Sequence, residues 1–465
     1  MRALKITLAI SSIAFTAIAC AGMRASAADL KEDYVRAPMP PGFQVIVSEI
    51  EGPVFADAQG HTLYIWPKAT LRNGNAGEDI GKPTCGDTVM RESSGTMSPY
   101  PGGYEMPEVD KRLSCAQAFP PVYAAADAKP VGKWTILKRL DGKMQWAYQG
   151  RPLYTSVRDK LPGEAMAATG LPDPGDQRSA DRRIAAPASK VPAQFAVHTT
   201  MTGRIVTVAN GKSIYTSDRD GKNKSNCKDS CLDEWTPVLA AASAVTVGEW
   251  TTFERAPGVL QWSFRGRPVY LHQTDPKEGA RDGSDVPGWH NVYTQMMPEP
   301  PKGVFALKNT IVGEVLGDSK GMTVYRYSCV DDALDQQACD MPDSPQAYRF
   351  AVCGGGGWEQ CLKTFPYVIA QAGAKTNSAW GTMYIDPKTG KETTANAPGA
   401  LHVWTFRKRP VYTFVGVRGY GDHKPSDINA NAWGEGEGAR NGYHAFVLRD
   451  VIDERDGNIG GRQGP

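Results

Sequence analysis

Cysteine is the residue in this chain whose chemistry depends most on its neighbours. Cys20 lies near the start; the other eight are Cys85, Cys115, Cys227, Cys231, Cys329, Cys339, Cys353 and Cys361. Cys227 and Cys231 are four residues apart, so they could form a short disulfide, a redox-active couple or part of a metal site. Neither a Cys-x-x-Cys motif nor a Cys-x-x-Cys-His haem attachment occurs. The seven histidines are scattered, and a ligand role would need His290 and His444 to converge with His272, His402 or His423. No metal set stands out, and no cofactor is expected. The chain has no Gly-x-Ser-x-Gly, Walker loop, dinucleotide fingerprint or His-Glu-x-x-His. No pair of carboxylates is singled out by its surroundings, so no catalytic residue is assigned.

Self-comparison shows which elements would carry these residues. Gly60-His61-Thr62-Leu63-Tyr64, Gly211-Lys212-Ser213-Ile214-Tyr215 and Gly321-Met322-Thr323-Val324-Tyr325 share one pattern. It predicts a turn at the glycine and a strand that carries the tyrosine. A second block follows as Cys115 to Phe119, Cys231 to Trp235 and Cys361 to Phe365, with cysteine and aromatic one helical turn apart. A tryptophan, Trp134, Trp250 or Trp380, comes nineteen residues after each of these cysteines. The third block reads Trp146 to Tyr154, Trp262 to Tyr270 and Trp404 to Tyr412, each ending Arg-Pro-aliphatic-Tyr.

In the third block, a two-residue turn at Gln149-Gly150 pairs Tyr148 with Arg151 and Trp146 with Leu153. Strand alternation then places Trp146, Tyr148, Arg151 and Leu153 on one face. Proline at 152 predicts that the Arg-Pro strand is an edge or has a bulge beside it. One reading makes this face core, with arginine laid over the ring and its charge in solvent. The other makes Trp146, Arg151, Trp262, Arg267, Trp404 and Arg409 a binding face that stacks on a sugar or polymer strand. The core reading is preferred.

The blocks divide the chain into repeats at 40–172, 196–297 and 303–452, the last with insertions. Linkers fall at 173–195 and 298–302, and a C-terminal tail at 453–465. The expected fold is mainly β: three β-rich repeats of short antiparallel strands and hairpins, each with one short helix, stapled by disulfides. Pairing within repeats gives Cys85–Cys115 and Cys227–Cys231. In the third repeat Cys329–Cys339 and Cys353–Cys361 close short loops.

Met1-Arg2-Ala3-Leu4-Lys5 and an uncharged run over 6–22 read as a signal peptide, 1–27, cut after Ala25-Ser26-Ala27. The alternative cut precedes Cys20, which would then carry a lipid. No later run is long and apolar enough to span a bilayer. The formal net charge is +2, and the leader holds Arg2, Lys5 and Arg24 with no anion, which leaves the remainder near −1. Such a balance gives no reason to expect nucleic acid as a partner.

The Gly-x-Thr-Leu-Tyr step, the Cys-to-aromatic-Pro step, Gln145-Trp146 and Arg151-Pro152-Leu153-Tyr154 resemble the secreted repeat family of unknown function. That family consists of predicted lipoproteins with a Tyr-x-aromatic-x-x-Asp motif. Asp159 after Tyr154, Asp220 after Tyr215 and Asp275 after Tyr270 supply the motif's aspartate; its middle aromatic is present as Trp66, Tyr327 and Phe414, whereas Ser217 and His272 replace it; no aspartate follows Tyr64 at that spacing, and Asp331 follows Tyr325 one place late. The resemblance implies an envelope location and carries no established activity. Composition and motifs together point to a non-catalytic periplasmic, secreted or cell-envelope binding or scaffold protein, whose partner would be an envelope protein or a glycan. A redox or metal-handling accessory protein is the alternative, and an enzyme on envelope polysaccharide is the weaker one. Long polar insertions around Asp340–Arg349 and Gly419–Gly438 suit surface recognition.

Overall fold

A computed structural model describes residues 33–71, 74–89, 113–167, 183–275, 281–310, 313–327 and 365–413, with the short stretches 92–93, 104–105, 362–363 and 443–450. The leader, Cys20, Cys329, Cys339, Cys353, Cys361, His423 and both proposed recognition insertions lie outside the described residues. So do the pairings Cys329–Cys339 and Cys353–Cys361.

The chain is mainly β, in small antiparallel sheets. The same construction recurs in three stretches. A hairpin comes first: Gln44–Ser48 with Gly52–Ala56, Phe195–Thr200 with Gly203–Val208, and Phe305–Thr310 with Gly313–Asp318. A strand headed by tyrosine follows at Tyr64, Tyr215 or Tyr325. Then come two long strands and a short Arg-Pro strand, paired as Trp134↔Tyr148, Trp250↔Phe264 and Trp380↔Phe406.

Each Arg-Pro strand opens from a turn with positive φ at both corners: 52° and 75° at Gln149-Gly150, 53° and 74° at Arg265-Gly266, 50° and 57° at Arg407-Lys408. Positive φ at both positions matches the right-handed twist of the flanking strands. The first two turns put glycine at the second corner. The third has no glycine, and its strain is held from outside. Arg407 is 1% exposed. It pairs with Glu51 and donates from Nη1 to the Ala165 carbonyl at 3.4 Å, while the Lys408 ammonium meets both Glu164 oxygens at 2.9 Å. Side chains from the first stretch thus hold a conformation that lysine rarely adopts alone.

The cores repeat with the strands. Leu63, Trp134, Trp146 and Leu153 pack in the first, Ile214, Trp250, Trp262 and Val269 in the second, and Val324, Trp380, Trp404 and Val411 in the third. Ile50 and Met166 from the first stretch, and Met201 and Met297 from the second, join the third core. The stretches therefore share buried surface.

Two local features differ from the sequence reading. Arg183–Ile184, inside the stretch read as a linker, pairs antiparallel with Tyr64–Ile65 and closes the first sheet. The equivalent closing strands are Trp289–Asn291 and Tyr443–Ala445. The pairing needs only two residues, too few to leave a hydrophobic alternation in a Pro- and Ala-rich sequence. Of the expected short helices, the first is present and the second takes another form. Cys115–Ala118 is an α-helix with a Ser114–Gln117 capping box, whereas Asp229–Asp233 is a 3-10 turn without a side-chain cap.

A buried polar network recurs in two of the three stretches. Arg139 donates to Gln145 Oε1 at 2.6 Å and to the Cys85 carbonyl at 2.6 Å, and Gln145 donates to the Leu153 carbonyl at 2.8 Å. Arg255, Gln261, Cys227 and Val269 repeat it. In the third stretch the matching strand positions hold Ile385 and Val403, both 0% exposed. Polar and apolar fillings thus serve one frame, provided both partners change together. The expected result is non-additivity. Gln145→Val alone takes one acceptor from the buried Arg139 guanidinium and costs about 2–4 kcal/mol, while Arg139→Ile with Gln145→Val costs clearly less than the sum of the singles. Denaturant midpoints of the two singles and the double measure this.

Candidate functional site

The tyrosines that head the strands meet each other across the sheet. Tyr64 and Tyr154 exchange both backbone hydrogen bonds, at 2.7 and 2.9 Å. Tyr215 lies opposite Tyr270, and Tyr325 opposite Tyr412. Directly opposed residues share a face, so both phenols of a pair enter the same buried layer. Five of these six tyrosines are 0% exposed and Tyr412 is 1%.

A phenol so buried needs a partner, and in two stretches the partner is a carboxylate from the other half of the unit. Tyr215 donates to Asp275 at 2.7 Å, while Tyr270 donates to Asp220 at 2.7 Å and to Ser225 at 2.6 Å. Asp220 follows Tyr215 and Asp275 follows Tyr270 in sequence, so each motif's aspartate serves the other motif's tyrosine. In the first stretch Tyr64 donates to Asp159 at 2.6 Å, and Tyr154 donates to Glu78 at 2.6 Å. Glu78, 1% exposed, supplies the carboxylate that the sequence lacks at motif spacing after Tyr64. The same oxygen accepts from the Thr84 and Cys85 amides at 2.6 and 2.9 Å, which ties the brace to the disulfide loop.

The cysteines sit beside these braces. Cys85–Cys115 and Cys227–Cys231 are disulfides, with Cα separations of 5.2 and 5.3 Å. In the second stretch Trp235 stacks on Trp289 at 3.6 Å, and His272 Nδ1 lies 3.0 Å from Asp275. His290 instead forms an exposed pair with Asp218 at 2.9 Å, and His402 stacks on Tyr384 at 4.5 Å. Among the described residues, no three His, Cys, Asp or Glu side chains gather as metal ligands would.

The electrostatics follow from burial. Desolvation, then the neighbouring Asp159, pushes the Tyr64 phenol well above its usual range. Tyr154 and Tyr215 are raised the same way, beside Glu78 and Asp275. Burial pushes Asp159 up to about 6, although the Tyr64 hydroxyl and the Met166 amide pull against it. Asp275 is raised by burial too, against Tyr215 and His272. A phenol this hard to ionise, hydrogen-bonded to a carboxylate out of solvent, is a fixed donor.

The Trp/Arg positions separate. Trp146, Trp262 and Trp404 are 7%, 2% and 2% exposed. Each meets a phenylalanine edge-on: Phe43 at 5.7 Å, Phe195 at 5.6 Å and Phe305 at 5.8 Å. The same phenylalanines lie against Trp134, Trp250 and Trp380 at 4.8, 4.1 and 4.7 Å. Arg409 is 6% exposed, Arg151 is half-buried, and Arg267 is exposed, 3.4 Å from Asp218. The turn residues Arg265 and Arg407 lie over Phe264 and Phe406. Sequence reasoning missed the phenylalanine of this trio. Its signal is a proline shortly before it, at Pro40, Pro192 and Pro301, whose carbonyl accepts the phenylalanine amide.

One comparison with known proteins bears on these elements. Residues 135–169 match the family described as a secreted repeat of unknown function. The secreted-repeat match holds Trp146, the Arg151-Pro152 strand, Tyr154 and Asp159, which is one arm of each brace in the first stretch. No curated protein and no solved structure matches the chain.

Two outcomes are expected. Asp159 is harder to ionise folded than unfolded, so the folded chain binds the extra proton between about pH 4 and pH 6. Its contribution favours the fold at the acid end of that window and is lost as pH rises through about 6. Asp159→Asn should therefore remove a component of up to about 3 kcal/mol from the pH dependence of stability, read as the difference between wild-type and variant denaturation midpoints from pH 4 to pH 7. Separately, Trp262→Ala should cost about 3–5 kcal/mol and Arg267→Ala under about 1 kcal/mol; equal losses in calorimetry would contradict the core role of Trp262.

Proposed function

We propose that the protein is a non-catalytic binding or scaffold protein of the periplasm, cell envelope or extracellular space. The observation that carries this is the use made of its recurring chemistry. Tyrosines, carboxylates, cysteines and the Arg–Gln network recur at matching positions, and each described set is spent on holding strands together. A reactive site needs groups poised toward a substrate. Here the phenols and carboxylates face one another at 2.6–2.7 Å in layers closed to solvent. The family match supports a secreted location, and no helix among the described residues is long and apolar enough to cross a membrane.

Burial of Trp146, Trp262 and Trp404 supports reading them as core, so capture of a macromolecular partner falls to other surfaces. The insertions around Asp340–Arg349 and Gly419–Gly438 are the candidates that the sequence offers. The test is a pull-down from native envelope with the full mature chain, run beside a panel of envelope glycans. Deleting Gly419–Gly438 should leave the thermal transition intact and weaken partner recovery. Turnover of an envelope polysaccharide by purified protein would overturn the proposal.

A further inference from the structure

A cleft of about 530 Å³ opens in the first stretch and nowhere reaches the buried braces. Behind one wall lies the buried core pair Phe55 and Trp134, and Phe55 meets both Trp134 and Tyr148 at 4.9 Å; the partly exposed Met39, Val45 and Tyr148 give the cleft its apolar surface. The facing wall is made by the arm Tyr34–Met39 and by Pro187–Ala188, which pair through the Val35 amide and the Ala188 carbonyl at 2.8 Å. That wall is pinned from the second stretch. Arg204 holds Asp33 with contacts of 2.9 and 2.8 Å and Ser189 at 2.7 Å, and it is itself 7% exposed. The cleft is therefore preformed rather than assembled by a ligand.

Three features set this place apart from its counterparts. The aromatic opposite the first tryptophan is Tyr148 here and Phe264 or Phe406 elsewhere. Its hydroxyl makes no hydrogen bond among the described residues, and burial raises it. The residue before that tryptophan is Lys133 here, with no ion pair among the described residues; Glu249 and Ala379 stand at the equivalent positions, as their carbonyls accept the matching turn amides. The closing strand places Ala185 where the other stretches have Val292 and Phe446. In the third stretch Phe446 covers Trp380 and Phe406 at 5.5 and 5.2 Å, a cover that an alanine side chain is too short to give.

The lining carries Lys133, which has no ion pair among the described residues, and no acidic residue. An apolar surface, one unused phenolic donor and one lysine are complementary to a small molecule with an apolar body and one negative charge. The volume falls within the roughly 300–1,000 Å³ of small-molecule sites. We infer that this cleft binds a small amphipathic anion, an acyl or aryl carboxylate, with its body against Met39, Val45 and the Tyr148 ring and its carboxylate toward the Tyr148 hydroxyl and Lys133. The site goes beyond the scaffold reading, which stands or falls on macromolecular capture.

The probe is octanoate, titrated calorimetrically into the full mature protein, with octan-1-ol and octylamine as headgroup controls. Octanoate is expected to saturate a single site, and the controls to bind at least about tenfold more weakly. Lys133→Glu and Tyr148→Phe install side-chain types that the other stretches carry at these positions, so both should fold with an unchanged thermal transition. Each should weaken octanoate about tenfold and leave octan-1-ol unaffected. Ala188→Trp should close the cleft to all three. The inference is overturned if octanoate gives no saturable heat, if octan-1-ol binds as tightly, or if the folded Lys133→Glu/Tyr148→Phe double variant binds octanoate like the wild type.

Discussion

A tyrosine pair placed back to back across two strands sets the geometry of each unit. The strands must align so that Tyr64 opposes Tyr154, or Tyr215 opposes Tyr270. Both phenols then enter one dry layer, where an unbonded hydroxyl would cost about 1–3 kcal/mol. The chain answers by crossing over: the carboxylate that follows one tyrosine bonds the other. Once Asp275 is fixed on Tyr215 and Asp220 on Tyr270, a slip of one strand by one residue would turn its phenol to the opposite face and break the pair. The disulfides, the Trp235–Trp289 stack and the closing strands gather around this layer.

The units show how far such a frame can vary while keeping its pairings. Glu78 replaces an aspartate because its longer arm reaches Tyr154 from a different loop. Ile385 and Val403 replace an arginine and a glutamine because the exchange removes donor and acceptor together. The glycine-free turn at Arg407-Lys408 survives because Glu51, Glu164 and the Ala165 carbonyl grip it. Each substitution is local in sequence and has its compensation on a distant segment.

That distance also explains what the sequence displayed. The β class, the hairpin at Gln149-Gly150 and the face shared by Trp146 and Leu153 were legible, because a two-residue turn and strand alternation act over a few residues. Cys85–Cys115 and Cys227–Cys231 followed from counting within each unit. Crossed pairing of Tyr215 with Asp275 was not legible, since motif spacing links Tyr270 to Asp275 along the chain and says nothing of who faces whom. Glu78 carried no motif at all. The closing pair Arg183–Ile184 is too short to show a period, and the phenylalanines beside the tryptophans were hidden in stretches read as boundaries. The cleft in the first stretch depends on residues that are distinctive only when superposed on their counterparts.

The closing strands have a kinetic consequence. Arg183–Ile184 completes a sheet begun at Tyr64–Ile65, and Tyr443–Ala445 completes one begun at Tyr325. Most of a unit must therefore be synthesised before its first tyrosine strand acquires its second neighbour. Such non-local pairing has high contact order and slows folding. For a secreted chain, slow closure is an asset: it lets the polypeptide stay threadable through a narrow translocation pore and reserves the last strand, with disulfide formation, for the oxidising side.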